Sequence, residues 1–218
     1  PGAHAAPEPA VGDLRREPDP EAAAQHWMRE DHTRVLDPAR ELCLRAAVLR
    51  LDDRHTVLYL CIHHLVIDAY GFGLLTRRIA ERYTADVLGR PVPPARFAPL
   101  APVVAEEAAY RASADFAADR DFWAGYLDGA EDAVALADGL GGIAVRCRGV
   151  RLTLTAEQQQ GLSRLGKATG ASWGDVVTAA VAAYLRAATG RGDVIVGFPV
   201  MNRLGSAATT VPMSAVNV

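Results

Sequence analysis

Residues 61–71 read CIHHLVIDAYG: two adjacent histidines, His63 and His64, close an apolar run, and a carboxylate, Asp68, follows four residues after the second. An imidazole and a carboxylate at that spacing can ligate a metal, work as an acid/base pair, or satisfy one another inside a core. A metal site needs at least three converging ligands, and beyond Asp68 the other histidines, His4, His26, His32 and His55, stand at no ligand spacing, so no metal is expected. A Ser-His-Asp hydrolase needs an exposed nucleophile on a tight turn. None of Ser113, Ser163, Ser172, Ser206 or Ser214 has such flanks. The residues alone leave the acid/base pair and the hydrogen-bonded core histidine open, the second being the commoner outcome for a histidine at a strand end. In a strand over 56–64, successive side chains point to opposite faces, so His63 and His64 are expected to serve different surroundings and only one to act.

The elements that must carry this motif are legible in the flanking pattern. The segments LCLRAAVLRLD and HTVLYLCIHHL are apolar and β-branched, and Asp52 to His55 between them supply turn chemistry, which predicts a hairpin ending on the two histidines. Leu74, Leu75, Ile79 and Tyr83 recur at helical spacing from Tyr70 to Val87, so the motif is expected on a strand-to-helix connection. Upstream, Asp19 and Pro20 signal the start of a helix. Residues 1–18 are expected as linker or extended chain. Downstream, two helical stretches end at Gly129, and the small, Gly-rich residues 130–146 form the best internal boundary. Beyond it the pattern predicts a strand RGVRLTLT, a helix stopped by Gly170, a helix started by Ser172, and a strand DVIVGFPV. Helices and strands alternate, an α/β (α+β) pattern without repeats.

Composition narrows the classes further. The 218 residues are 50% hydrophobic, enough for a substantial core, and 23 Lys plus Arg against 26 Asp plus Glu give a net charge of -3. That balance argues against a nucleic-acid partner. No apolar run reaches the roughly 18 to 20 residues of a membrane span, so a cytoplasmic protein is expected. Cys43, Cys61 and Cys147 lie far apart without C-x-x-C spacing and read as small hydrophobes. Position 1 is not Met, and the chain stops at MSAVNV on strand-like sequence; a piece of something larger is expected.

HHLVIDAYG resembles the HHxxxDG signature of condensation domains of nonribosomal peptide synthetases, in the chloramphenicol-acetyltransferase-like superfamily. DRDFWAGYL, VIVGFPVMNRLGSAA and SAVNV are similar to later family segments in the same order. The resemblance covers roughly residues 15 to 218. It implies a two-lobe sandwich of mixed sheets and helices, incomplete at both ends: residues 19–129 as the remainder of the N-terminal lobe, 130–146 as inter-lobe linker, and 147–218 as the start of the C-terminal lobe. It implies amide formation between donor and acceptor thioesters carried on phosphopantetheine arms, with no cofactor bound intrinsically. The partners it implies are upstream and downstream peptidyl carrier domains and an adenylation domain. His64 becomes the general base or amine-positioning residue. The same resemblance implies that His63, Asp68 and Gly71 support the site, with Arg203 as the ion-pair partner of Asp68. Ala69, Tyr70, Ser214 and Asn217 become candidates for the substrate tunnel, and the N–H groups of Tyr70 and Gly71 candidates for polarising the thioester carbonyl.

The departure is Ala69, where the signature has Gly; a left-handed backbone there would cost alanine on the order of 1 kcal/mol. An epimerisation-type relative, a CoA-dependent acyltransferase and a degenerate non-catalytic interaction module are the alternatives.

Overall fold

In the computed structural model, residues 8–130, 136 and 149–216 are described. The chain divides into two compact units, Pro1–Arg111 with Val200–Val218, and Ala112–Pro199. Among the described residues there are six α-helices and one three-stranded mixed sheet.

The first unit is built on β1 (Ala10–Asp13), β2 (Leu44–Arg50) and β3 (Thr56–Ile62), in the order β1-β2-β3. The predicted hairpin is present: β2 and β3 pair antiparallel, with Ala47 opposite Tyr59. Its turn closes on one carboxylate, since Asp52 accepts the N–H groups of Arg54 at 2.6 Å and His55 at 2.8 Å. β1 lies within the segment expected as linker or extended chain. AVGD lacks the length of a recognisable strand, but it pairs parallel to β2, with Val11 opposite Val48. Arg15 then ties the strand's end to the hairpin turn, 2.7 Å from Asp13 and 2.8 Å from Asp53.

α1 (Pro20–Thr33) starts as the sequence signals: Asp19 accepts the Ala22 N–H and Pro20 occupies the first turn, where its missing N–H costs nothing. One face of α1 packs on the sheet, where Ala24, Ala47 and Leu49 are buried and Trp27 and Met28 close over them. The Trp27 ring meets Tyr59 edge-on, with centroids 5.5 Å apart. α2 (Ala69–Val87) follows β3, and α3 (Ala101–Arg111) packs with the 3-10 turn Ala207–Thr210.

The second unit contains α4 (Ala114–Tyr126), α5 (Ala156–Thr169) and α6 (Trp173–Thr189). Its helix ends are sharply specified. Thr155 with Gln158 and Ser172 with Asp175 form reciprocal capping boxes, and Gly170 and Gly190 end their helices at φ 68° and 70°. The two strands expected around these helices do not form: residues 149–155 and 193–200 pair with no strand among the described residues. Their composition supplies β propensity, but a strand is defined by a ladder partner. Without one, Val150, Leu152 and Phe198 stay exposed. The 130–146 boundary falls almost wholly outside the described residues, as does Cys147.

Candidate functional site

β3 ends at Ile62, one residue short of the histidines. One further rung, the His63 N–H to the Cys43 carbonyl at 2.9 Å, carries the ladder past the strand before the chain turns. Val66 N–H closes that turn on the His63 carbonyl at 3.1 Å. His63 therefore sits on the last rung beyond the strand and opens the turn, and His64 lies inside the turn. His63 is half-buried, and its Nδ1 accepts the Leu65 N–H at 3.1 Å. His64 is exposed.

Asp68 ends the turn and does two things. As N-cap of α2 it accepts the Gly71 N–H at 2.8 Å, satisfying one of the donors that a helix start leaves open. It also meets Arg203, whose Nη2 is 2.8 Å from Oδ1 and whose Nε is 3.1 Å from Oδ2, a two-pronged pairing of planar groups. Oδ2 further accepts the Val216 N–H at 3.1 Å. Burial alone would push this carboxyl's pKa up; the Gly71 N–H, the Arg203 guanidinium and the Val216 N–H outweigh it and hold the group below the usual carboxylate range.

Arg203 is fully buried, with a side-chain exposure of 0%. Nη1 donates to the carbonyls of Ala208 at 2.7 Å and Val211 at 2.8 Å, and Nη2 also donates to the Ser214 carbonyl at 2.8 Å. The Tyr70 ring covers the guanidinium, its centroid 5.0 Å from Cζ, and the Tyr70 hydroxyl donates to the Thr209 carbonyl. The loop from Arg203 to Val216 is thus wrapped around one cation.

Several tunnel candidates acquire other surroundings. Tyr70 is committed to Arg203 and Thr209, and the Ser214 hydroxyl faces Arg203 at 3.1 Å. The Gly71 N–H, expected to be free for a thioester carbonyl, is taken by Asp68. Ala69 is exposed and is the first residue of α2. Among the described residues, Asn202 is the non-glycine with positive φ, so the strain considered for Ala69 does not arise. The residue that must be glycine is Gly71: a Cβ there would overlap the Pro212 carbonyl oxygen and crowd Ile67. Asn217 lies outside the described residues.

Beside the turn runs a groove lined by Leu65 and Val66, by Val103 and Val104 of α3, and by Met213 and Val216. Asn202, at φ 42°, also borders it. Among the described residues no three His, Cys, Asp or Glu side chains are grouped to hold a metal ion. Two features escaped the sequence pattern. The capping role of Asp68 had a signal, an aspartate directly ahead of a helical repeat. The contact of Glu106 with Ser206, at 2.8 Å across 100 residues, had none.

A family model described as "Condensation domain" matches residues 9–213. The "Isonitrile lipopeptide synthase" of Streptomyces coeruleorubidus is 39% identical over 211 residues, covering 95% of this chain and 14% of that protein. The "Dimodular nonribosomal peptide synthase" of Bacillus subtilis (strain 168) is 32% identical over 212 residues, covering 95% of this chain and 9% of the relative. The first condensation domain of the calcium-dependent antibiotic synthetase, solved with a substrate analogue, superposes with a TM-score of 0.79 at 38% identity, over 100% of this chain and 51% of that one. VibH, a nonribosomal peptide synthetase condensation enzyme, superposes with a TM-score of 0.76 at 28% identity, over 95% of this chain and 49% of its own. The chain spans about half the length of the solved structures it matches.

Proposed function

The chain belongs to the condensation domain family of nonribosomal peptide synthetases, and from that membership we propose that it joins a donor acyl or peptidyl thioester to an acceptor aminoacyl thioester. Both substrates ride on phosphopantetheine arms of carrier domains. The acceptor amine attacks the donor carbonyl, the new C–N bond forms as the C–S bond breaks, and the proton lost by the amine ends on the departing thiolate. No covalent enzyme intermediate is needed. His64 acts as general base or holds the amine in line.

The observation that carries this reading is an exposed imidazole on a turn whose far end is fixed by a buried, two-pronged ion pair. A histidine serving only the core would not be exposed. Asp68 and Arg203 are positioning residues in this reading, since both are buried and turned onto each other. In the complete domain, residues 19–129 would belong to the N-terminal lobe and 147–218 to the start of the C-terminal lobe of a two-lobe sandwich. Curated relatives several times longer than the chain support carrier and adenylation domains as neighbours, and the synthetase is read as cytoplasmic.

The test is to mix the chain with one carrier loaded with an acyl donor and a second loaded with an aminoacyl acceptor, and to follow the acceptor carrier by mass spectrometry. Amide should accumulate, and His64→Ala should slow it on the order of 10²- to 10⁴-fold while leaving the circular dichroism unchanged. Turnover of His64→Ala at the wild-type rate would remove the histidine from the chemistry. Preference for acyl-CoA over the acyl carrier would favour a CoA-dependent acyltransferase, and carrier binding without turnover an interaction module.

A further inference from the structure

α3 has no fully buried side chain among its residues Ala101–Arg111, so apolar burial does not fix where it lies. A polar tie contributes instead. The Oε2 atom of Glu106 accepts the Ser206 hydroxyl at 2.8 Å and the Ala207 N–H at 2.9 Å. Ser206 in turn accepts the Ala208 N–H at 3.0 Å as cap of the 3-10 turn. The turn is therefore held at both ends by opposite charges: a carboxylate meets its N-terminal donors, and Arg203 Nη1 collects the carbonyls of Ala208 and Val211. Just ahead of α3, the Ala98 N–H joins the Thr210 carbonyl at 3.1 Å, a second link to the same turn.

The other side of this tie is the groove. α3 supplies Val103 and Val104 to it, and Leu65 and Val66, the two residues directly after His64, line it as well. We propose that Glu106 is a positioning residue for the condensation reaction: by tethering α3 to the Arg203 loop, it sets the width of the groove in which a carrier-bound substrate lies beside His64. Glu106 touches no reacting atom. Its effect reaches the substrate through the placement of Val103 and Val104. The activity side of this inference rests on the condensation reading, and its structural side rests on the Glu106 contacts alone.

Glu106→Ala removes the acceptor, and Glu106→Gln keeps an oxygen in its place. With loaded carriers, Glu106→Ala should raise the KM for the carrier-bound substrate about tenfold with kcat within about twofold, and Glu106→Gln should recover most of that loss. Hydrogen exchange read on the same proteins should show the Ala207 and Ala208 amides exchanging about tenfold faster in Glu106→Ala, with the amides of the His64 turn unchanged. A fall in kcat at unchanged KM, or wild-type kinetics in Glu106→Ala, overturns the positioning role. Should the wild-type chain form no amide, the condensation reading fails on its own. The tether is then judged by exchange, and unchanged Ala207 and Ala208 amides in Glu106→Ala overturn it.

Discussion

Two aspartate–arginine clasps hold the first unit, and they are completed to different degrees. At Arg45 and Asp31 the side chains are 13% and 15% exposed, Nε lies 2.9 Å from the carboxylate, and Tyr59 donates its hydroxyl to the same group. Nη1 of Arg45 is buried without a partner among the described residues. At Arg203 and Asp68 the exposures are 0% and 2%, and Nε, Nη1 and Nη2 all donate. The first clasp staples α1 to a sheet that already has an apolar core of Ala24, Ala47 and Leu49. It can leave a donor unmet because packing shares the work. The second lies among Ile67, Ala208, Val211 and Pro212, which are also buried, but its two charges are themselves buried more deeply than those of the first. At that depth a half-satisfied network would be worse than none.

That contrast is sharpest when each carboxylate is removed. Asp68→Ala strands a buried guanidinium and is expected to cost about 3–5 kcal/mol in denaturant unfolding. Asp31→Ala should cost about 1–3 kcal/mol, since the apolar core remains and Arg45 keeps its bond to the Asp31 carbonyl. Equal costs would mean the two clasps do the same job. Gly71→Ala, which drives a methyl into the Pro212 carbonyl, should cost about 1–3 kcal/mol. A neutral result would show that the Pro212 segment yields easily.

Acid probes the same comparison more gently. In Asp31, burial pushes the carboxyl up, but Arg45 and the Tyr59 hydroxyl outweigh it and hold the group below its usual range, as their counterparts do for Asp68. A carboxyl depressed in the folded state takes up protons first in the unfolded chain. The stability it contributes is complete above an ordinary carboxyl pKa of about 4 and is lost as pH falls through the lower folded value. An acid titration followed by Trp fluorescence should therefore decline less steeply below about pH 4 in Asp31→Asn than in the wild type. Identical slopes would exclude Asp31 as a source. Smallest of all, His64→Ala should change stability by no more than about 0.5 kcal/mol, because the ring is exposed. A larger loss in thermal melting would return His64 to a structural role.

Legibility in the sequence followed the range of the interactions. Asp19 ahead of α1, Ser172 ahead of α6 and Gly170 after α5 were readable because a cap bonds to residues three or four positions away. β1 was not, because four residues become a strand only when a distant β2 pairs with them. The same dependence misled in the other direction at 193–200, where β-rich composition met no partner among the described residues. In the site, the Asp68–Arg203 contact spans 135 residues and came from family resemblance, not from local pattern. The turn around the histidines was misread because apolar composition runs on to Ile62 and does not mark where pairing stops.

The rung between His63 and Cys43 has a wider consequence. A tandem of two identical residues is ambiguous: nothing in the pair itself says which imidazole is to meet solvent. The frame comes from the hairpin, where Leu44 faces Ile62 and the next rung takes the His63 N–H. A slip of one residue would trade the two imidazoles and invert every side chain of β3. The identity of the exposed histidine is thus decided by a reading frame set at Asp52, twelve residues upstream of His64.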